Sequence, residues 1–324
     1  MKPRLFITGG AGYIGSVLTA YFIDHDHEVV ILDDLSSGSA IDARASFIAG
    51  SILEKSKLLN ALSKVDVVIH CAAKSLVEES VLKPEEYSRV NTAGTHQLLE
   101  AMIESGVNKI IFSSTAAVYG DSSVQPISEN ADINPINPYG HSKFAAEQVI
   151  SEFSSKGIAA ITFRYFNIAG SYKNSKGELL IENHQDETHL IPKILKNTFK
   201  NGVDSKVEIY GNNFPTKDGS CIRDYLHVQD LAQAHLLALD KLEKGKSKVF
   251  NLGSGVGYSV FEVISEIEKV MGVKLNQVIS PARAGDPAVL LAAIDKAKNE
   301  LGWKPKASLT EIITSSWQGM KLVG

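Results

Sequence analysis

Cysteine is scarce in this chain: among 324 residues only Cys71 and Cys221 occur, far apart and without a CxxC pair. That excludes a disulfide framework and a thiolate zinc site, and it fits a reducing cytoplasm. No apolar run approaches twenty residues, and Met1–Thr8 runs straight into a strand pattern without a signal-peptide core, so neither membrane spanning nor export is expected. There is no block of Lys and Arg, and the formal net charge is -4, which argues against nucleic acid or an acidic membrane as partner. Internal repeats and low-complexity tracts are also absent. With 44% hydrophobic and 22% charged residues the composition is that of an ordinary globular protein, which leaves small-molecule work favoured.

What is present is alternation. Short aliphatic runs at Arg4–Thr8, Glu28–Asp33, Val65–His70, Lys109–Ser113 and Ile158–Thr162 are separated by helix-length amphipathic stretches. Among these, the clearest helices are Tyr13–Asp24, Glu85–Glu104 and one that begins at Tyr139. Such a pattern predicts an α/β fold with a doubly wound parallel sheet covered on both faces. The length favours one large domain with a smaller appendage. Beyond Asn167 the texture changes, with the polar run Ser171–Gly177, several prolines and irregular spacing. The boundary is placed near Gly170: residues 1–170 form the first domain and 171–324 mainly the second. Segments near 225–255, with the strand-like Val249–Leu252, are expected to return to the first sheet.

Between the first predicted strand and helix lies Thr8-Gly9-Gly10-Ala11-Gly12-Tyr13-Ile14-Gly15. Glycines there permit a tight turn and close approach of backbone to a pyrophosphate, which the helix N-terminus holds through free amides. Asp33 ends the second strand, 18 residues beyond Gly15, where it accepts hydrogen bonds from both ribose hydroxyls and repels a 2′-phosphate. A Rossmann dinucleotide site for NAD rather than NADP is therefore expected. No arginine adjoins Asp33, and Arg44 reads as a surface residue.

Tyr139 and Lys143 are four residues apart at the start of a predicted helix and so share one face. An ammonium ~6 Å from a phenol at an effective dielectric of ~20 favours the phenolate by roughly 2.8 kcal/mol, which would make the tyrosine usable as a base. The spacing alone also occurs on solvated helix faces. Upstream, Ser113-Ser114-Thr115 closes a predicted strand at the ligand-binding edge of such a sheet, 24 residues before Tyr139.

This hydroxyl-Tyr-Lys arrangement resembles the short-chain dehydrogenase/reductase superfamily, and the whole chain resembles its extended UDP-glucose 4-epimerase family. The similarity includes Leu32–Leu35, Arg164–Asn167, Thr188–Pro192, Tyr210–Asn212, Arg223–Val228, Asn251–Gly253 and Gly285–Pro287. It implies that Tyr139 moves the sugar 4-hydroxyl proton, Thr115 hydrogen-bonds the same oxygen, and Lys143 assists. C4 then gives hydride to NAD and receives it back on the opposite face. The implied cofactor contacts are Gly9, Gly12, Tyr13, Ile14 and Gly15, then Asp33, Asp34, Ser51 and Ile52. Further along they are Ala72, Ala73, Lys74, Asn91, Ser113, Tyr139, Lys143 and Tyr165. Lys74 or Ser75 fits the family lysine with a one-residue offset, and Ser51 stands where many relatives carry Asp.

For the UDP-hexose, the resemblance implies Thr115, Asn167, Leu190, Tyr210, Arg223, Arg283 and Asp286, with the arginines on the diphosphate. Either arginine alone fits a surface ion pair equally well. No metal is implied: His70, His184, His189 and His227 read as buried or capping histidines. The helices Glu85–Glu104 and Tyr139–Ser155 resemble those of a dimer interface, so a cytoplasmic homodimer is expected. A 4,6-dehydratase would need two acid–base groups after Thr115, where Ala116 and Ala117 stand. A cofactor-sensing protein would not need Thr115, Tyr139 and Lys143 together. Leu290, small where glucose-restricted relatives carry tyrosine, raises the alternative of a UDP-N-acetylglucosamine 4-epimerase or dual specificity.

Overall fold

Strands form where aliphatic residues run without polar interruption, because both faces of the central sheet are covered by helices. The computed structural model describes residues 2–38, 40–182, 187–202, 205–283 and 285–323. In the first half, β1 (Leu5–Thr8), α1 (Tyr13–Asp24), β2 (Val29–Asp33), β3 (Ser46–Ala49), α2 (Lys55–Ala61) and β4 (Val67–His70) come first. They are followed by α3 (Val77–Leu82), α4 (Pro84–Tyr87), α5 (Gly94–Glu104), β5 (Lys109–Thr115), α6 (Pro138–Ser155) and β6 (Ala159–Tyr165). A π-helical segment, Ser88–Ala93, joins α4 to α5 into one continuous rod.

The second half contains β7 (Asn167–Ala169), β8 (Tyr172–Lys173), β9 (Leu179–Leu180), α7 (Leu190–Asn201), β10 (Lys206–Tyr210), β11 (Ile222–His227) and α8 (Val228–Ala238). Then come β12 (Ser247–Leu252), β13 (Gly257–Ser259), α9 (Val260–Met271), β14 (Asn276–Ser280), β15 (Val289–Leu290) and α10 (Leu309–Val323). Strand β12 pairs in parallel with β6, so this late segment completes the first sheet, whose order is β12-β6-β5-β4-β1-β2-β3. All its pairings are parallel.

Successive strand residues face opposite sides. Leu5 and Ile7 of β1 and Val29 and Ile31 of β2 join a core with α1 and α8. Phe6, Val30 and Leu32 face the other core, with α2, α5 and α6. Each fully buried aliphatic or phenyl side chain contributes roughly 1.5–3 kcal/mol through burial. The remaining elements make small sheets: β7, β13 and β15 around β11, and β10 with β14, packed with α7, α9 and α10 around a third core.

Strands β5 and β6 run on to Thr115 and Tyr165, further than the sequence pattern predicted, and β3 is an additional, half-exposed strand. Arg44 is not a surface residue. Its guanidinium bonds Asp42 at 2.6 Å and Asp24 at 2.6 Å, while Tyr172 and Ser175 also donate to Asp24. Burial raises the Asp24 carboxyl, but hydrogen bonds from Ser175, Arg44 and Tyr172 hold it down to about 2. This cluster ties the end of α1 to the start of the second half. Among the described residues, no helix is long and apolar enough to cross a membrane.

Candidate active site

The parallel strands all end at one edge of the sheet, and the order reverses between β4 and β1, which opens a crevice there. The glycine turn fills its floor. Gly9 has φ +70°, and a Cβ on it would stand 2.7 Å from the Ala72 backbone nitrogen; one on Gly15 would stand 2.0 Å from the Gly9 oxygen. Only glycine permits this closeness of the β1 turn, α1 and the chain after β4. Gly12, in contrast, faces open space, with the Gly9 oxygen at 3.5 Å as its single near neighbour, and no side chain caps α1. A cradle that a side chain would fill, lined by helix N-terminal amides, fits a dinucleotide pyrophosphate.

Asp33 is aimed by two backbone donors, Ala11 N at 2.9 Å and Leu35 N at 2.8 Å, and burial raises its carboxyl from the ordinary range. A carboxylate oxygen accepts more than one bond, so capacity for ribose hydroxyls remains. Asp34 beside it is exposed. Tyr13 and Ile14 open α1, and the Tyr13 hydroxyl donates to Gly170 O at 2.6 Å, which leaves its backbone to serve the cradle. Ser51 follows β3; its Oγ accepts from Leu53 N at 3.3 Å and its N donates to Glu54 at 2.8 Å, while Ile52 is buried.

Ala72, Ala73 and Lys74 follow β4. The Lys74 backbone is held on both sides by Asn91, at 2.8 and 2.9 Å, from the π-helical segment, where a π turn commonly marks a functional position. The Lys74 ammonium itself pairs with Glu86 at 3.1 Å and Glu79 at 3.8 Å. Ser113 and Tyr165, on neighbouring strands, are bonded at 2.9 Å, and the Tyr165 hydroxyl meets His235 Nε2 at 2.7 Å.

Helix α6 begins where Asn137 caps it by accepting from Gly140 N at 2.8 Å, with Pro138 in the first turn. This start presents Tyr139 to β5, where the Thr115 hydroxyl beside the phenol acts to lower it. Lys143 is buried, its ammonium 4.2 Å from the centre of the Phe112 ring. The expected lowering of the phenol by this ammonium is not what the chain alone produces. Burial dominates both groups: it pushes the Tyr139 phenol up to about 12 and the Lys143 ammonium down to about 8. Water exclusion disfavours each charged form more than the spacing favours it.

Across the crevice, Arg223 on β11 is fixed by donating to the carbonyls of Ile222 at 2.9 Å and Pro287 at 2.8 Å, and it pairs with Asp286 at 3.3 Å. Arg283 stacks on the Tyr210 ring at 4.0 Å and approaches Glu78 of α3 at 3.7 Å. Asn167 lies in β7 opposite Tyr225 of β11, and Leu190 opens α7. Leu290, opposite Arg223 in β15, packs on the apolar cluster of Ala116 and Phe166. Thus Arg223 meets Asp286 and Arg283 meets Tyr210, whereas Leu190 belongs to the third core.

Sequence reasoning missed two buried networks. Asp224 accepts from Ser254, Gly255 and Ala292 backbone amides and fixes the loop after β12 beside Arg223. Glu147 binds Ser114 and Arg164, and Arg164 in turn donates to Tyr119, which donates to Asn251. The one signal available was the spacing of Glu147, eight residues past Tyr139 on the same helical face.

Of the histidines, His70 is held between Thr8 and Thr95, and His227 caps α8. His184 lies outside the described residues. His189 joins Glu182 and Glu187, with one ligand-type atom from each within 4.8 Å of the others. The exposed His189 ring pairs with Glu182 at 2.6 Å and Glu187 at 3.5 Å; desolvation opposes its charge, but hydrogen bonds to the two carboxylates raise it to about 10.

The model of the NAD dependent epimerase/dehydratase family matches residues 5–253. The chain belongs to that family. It is 43% identical over 325 residues to the UDP-glucose 4-epimerase of Corynebacterium glutamicum, covering 99% of this chain and 97% of the relative. The fold is similar to that of the UDP-glucose 4-epimerase from Bifidobacterium longum in complex with NAD+ and UDP, with TM-score 0.92, 33% identity, and 99% and 98% of the two chains covered. It is also similar to the Thermotoga maritima UDP-glucose 4-epimerase with UDP-glucose, with TM-score 0.87, 30% identity, and 98% and 99% covered.

The glycine cradle leaves no room for a single added methyl group at Gly15. Gly15→Ala places that methyl against the Gly9 carbonyl, and the purified variant is expected to retain about tenfold less dinucleotide than the parent. Dinucleotide released on denaturation and counted per chain checks this; equal retention would mean that the turn does not form the cradle.

Proposed function

We propose that this protein interconverts UDP-glucose and UDP-galactose by inverting the hexose at C4, with NAD as a resident cofactor. The observation that carries the reading is the Thr115 hydroxyl beside the Tyr139 phenol, with Lys143 one helical turn on, at the sheet edge beside a pyrophosphate cradle. The full-length likeness to UDP-glucose 4-epimerases supports it.

When bound, NAD supplies the acceptor and donor of the C4 hydride and, in its oxidised form, a positive charge. The chain's residues do the rest. Gly9, Gly12, Tyr13, Ile14, Gly15 and the α1 amides hold the pyrophosphate, and Asp33 accepts from the ribose. Asp34, Ser51, Ile52, Ala72, Ala73, Lys74, Asn91, Ser113 and Tyr165 line the same crevice.

Tyr139 takes the proton from the 4-hydroxyl oxygen and later returns it, while Thr115 orients that oxygen and Lys143 supplies a cation close by. Arg223 and Arg283 grip the diphosphate of UDP, with Asn167, Leu190, Tyr210 and Asp286 around the nucleotide. A firm grip on UDP leaves the hexose free to present either face, and the cycle is redox-neutral. The relatives carry the UDP-glucose name, so the UDP-N-acetylglucosamine alternative suggested by Leu290 is not favoured.

In this reading residues 1–170 carry the cofactor and 171–324 mainly the nucleotide sugar, and the enzyme serves galactose metabolism in the cytoplasm. A homodimer is part of it. The outer face of the Ser88–Ala93 segment, α5 and α6 carries a groove of about 520 Å³ bordered by Arg89, Thr92, His96 and Val149, which supports helix pairing between two copies. Light scattering is expected to give twice the chain mass; a monomer at assay concentration would contradict the pairing.

Purified protein with no added cofactor is expected to convert UDP-galactose to UDP-glucose and to retain deuterium placed at C4. Tyr139→Phe is expected to keep its NAD and lose about three orders of magnitude in kcat. Label washed out to solvent, or undiminished turnover in that variant, would refute the assignment.

A further inference from the structure

Glu147 stands one helical turn past Lys143 and two past Tyr139, on the same face of α6. Its carboxylate is fully engaged: Oε1 accepts from Ser114 Oγ at 2.5 Å and Arg164 Nε at 3.1 Å, and Oε2 accepts from Arg164 at 2.6 Å. Glu147 is 8% exposed and Arg164 5%. Ser114 adjoins Thr115 and lies opposite Arg164 in the β5–β6 register. One carboxylate thereby joins the helix of Tyr139 and Lys143 to the strand of Thr115. A buried ion pair is a poor source of stability, since desolvation offsets the Coulomb gain and apolar side chains of the same volume hold a helix equally well.

The groups around Lys143 narrow the role further. His70 and Cys71 face it from the end of β4; burial pushes the imidazole down to about 3 and the thiol up to about 11, so both are uncharged near neutrality. Phe112 of β5 offers its ring, Tyr139 of α6 is a neutral phenol, and Tyr165 of β6, raised far above the ordinary range, is neutral as well. Arg164 of β6 is already paired with Glu147. Among the described residues, Glu147 is the carboxylate that acts on the Lys143 ammonium.

We propose that Glu147 is a positioning residue for C4 inversion: anchored by Arg164 and Ser114, it sets the distance of α6 from β5 and with it the placement of Tyr139 against Thr115. This rests on the epimerase reading above.

Glu147→Gln leaves a buried guanidinium without its counter-charge and is prone to unfolding, so the deciding variant replaces both charges, Glu147→Met with Arg164→Met. In the NAD-loaded protein the pair is expected to fold and to retain NAD. Its kcat for UDP-galactose is expected to fall about tenfold with KM within about twofold, because that placement is lost in the reacting state. Unchanged kcat in the folded variant would overturn the proposal.

If the double variant does not fold, Ser114→Ala decides, since it keeps the ion pair and removes only the tie to β5. A kcat reduced about threefold or more at constant KM supports the role, and parental kcat overturns it. Failure of the epimerase reading is distinct, because the unmodified protein would then convert nothing.

Discussion

Exclusion of water from one face of α6 is the constraint on which the rest of this structure depends. Lys143 and Glu147 are buried there and Tyr139 partly so, against strands that continue past the usual sheet edge to Thr115 and Tyr165. A buried ammonium is costly, and the structure offsets part of that cost with the Phe112 ring and the Glu147 carboxylate. The same dryness keeps the phenol raised in the chain alone, even with Thr115 acting to lower it. In the proposed reading, the positive charge of oxidised NAD would be what favours the phenolate.

The two halves of the molecule answer different demands. In the first, the glycine turn leaves no room at Gly9 or Gly15, where one added methyl meets amide or carbonyl atoms. In the second, the candidate side chains are themselves braced. Arg223 is tied to two carbonyls, and Asp224 next to it sits among three backbone amides and fixes the adjoining loop. Arg283 is the looser of the two arginines, resting on Tyr210 and partly open to solvent.

Much of this was legible in the sequence where the determinants are local. Aliphatic runs separated by helix-length segments announce a doubly wound sheet, and the glycine turn, Asp33 and the Tyr139–Lys143 pair depend on spacings within a single element or one βαβ unit. What escaped depends on partners distant in the chain. Arg44 reads as a surface arginine until Asp24, 20 residues away, and Ser175, 131 away, fold against it. The same holds for Glu147, whose Ser114 and Arg164 partners lie on separate strands. Strand β3 was missed because its half-exposed Ser46–Ala49 segment lacks the aliphatic run of the central strands. The charge argument for Tyr139 counted the attraction of the ammonium and left out the desolvation of a buried phenolate.

A crystal structure of the protein with NAD and UDP-galactose tests the central claim most directly. The account predicts the sugar 4-oxygen within hydrogen-bond reach, about 3 Å, of both the Tyr139 and Thr115 hydroxyls, with C4 against the nicotinamide ring. A hexose whose 4-oxygen lies away from both hydroxyls in every conformer, with UDP seated on Arg223 and Arg283, would contradict it.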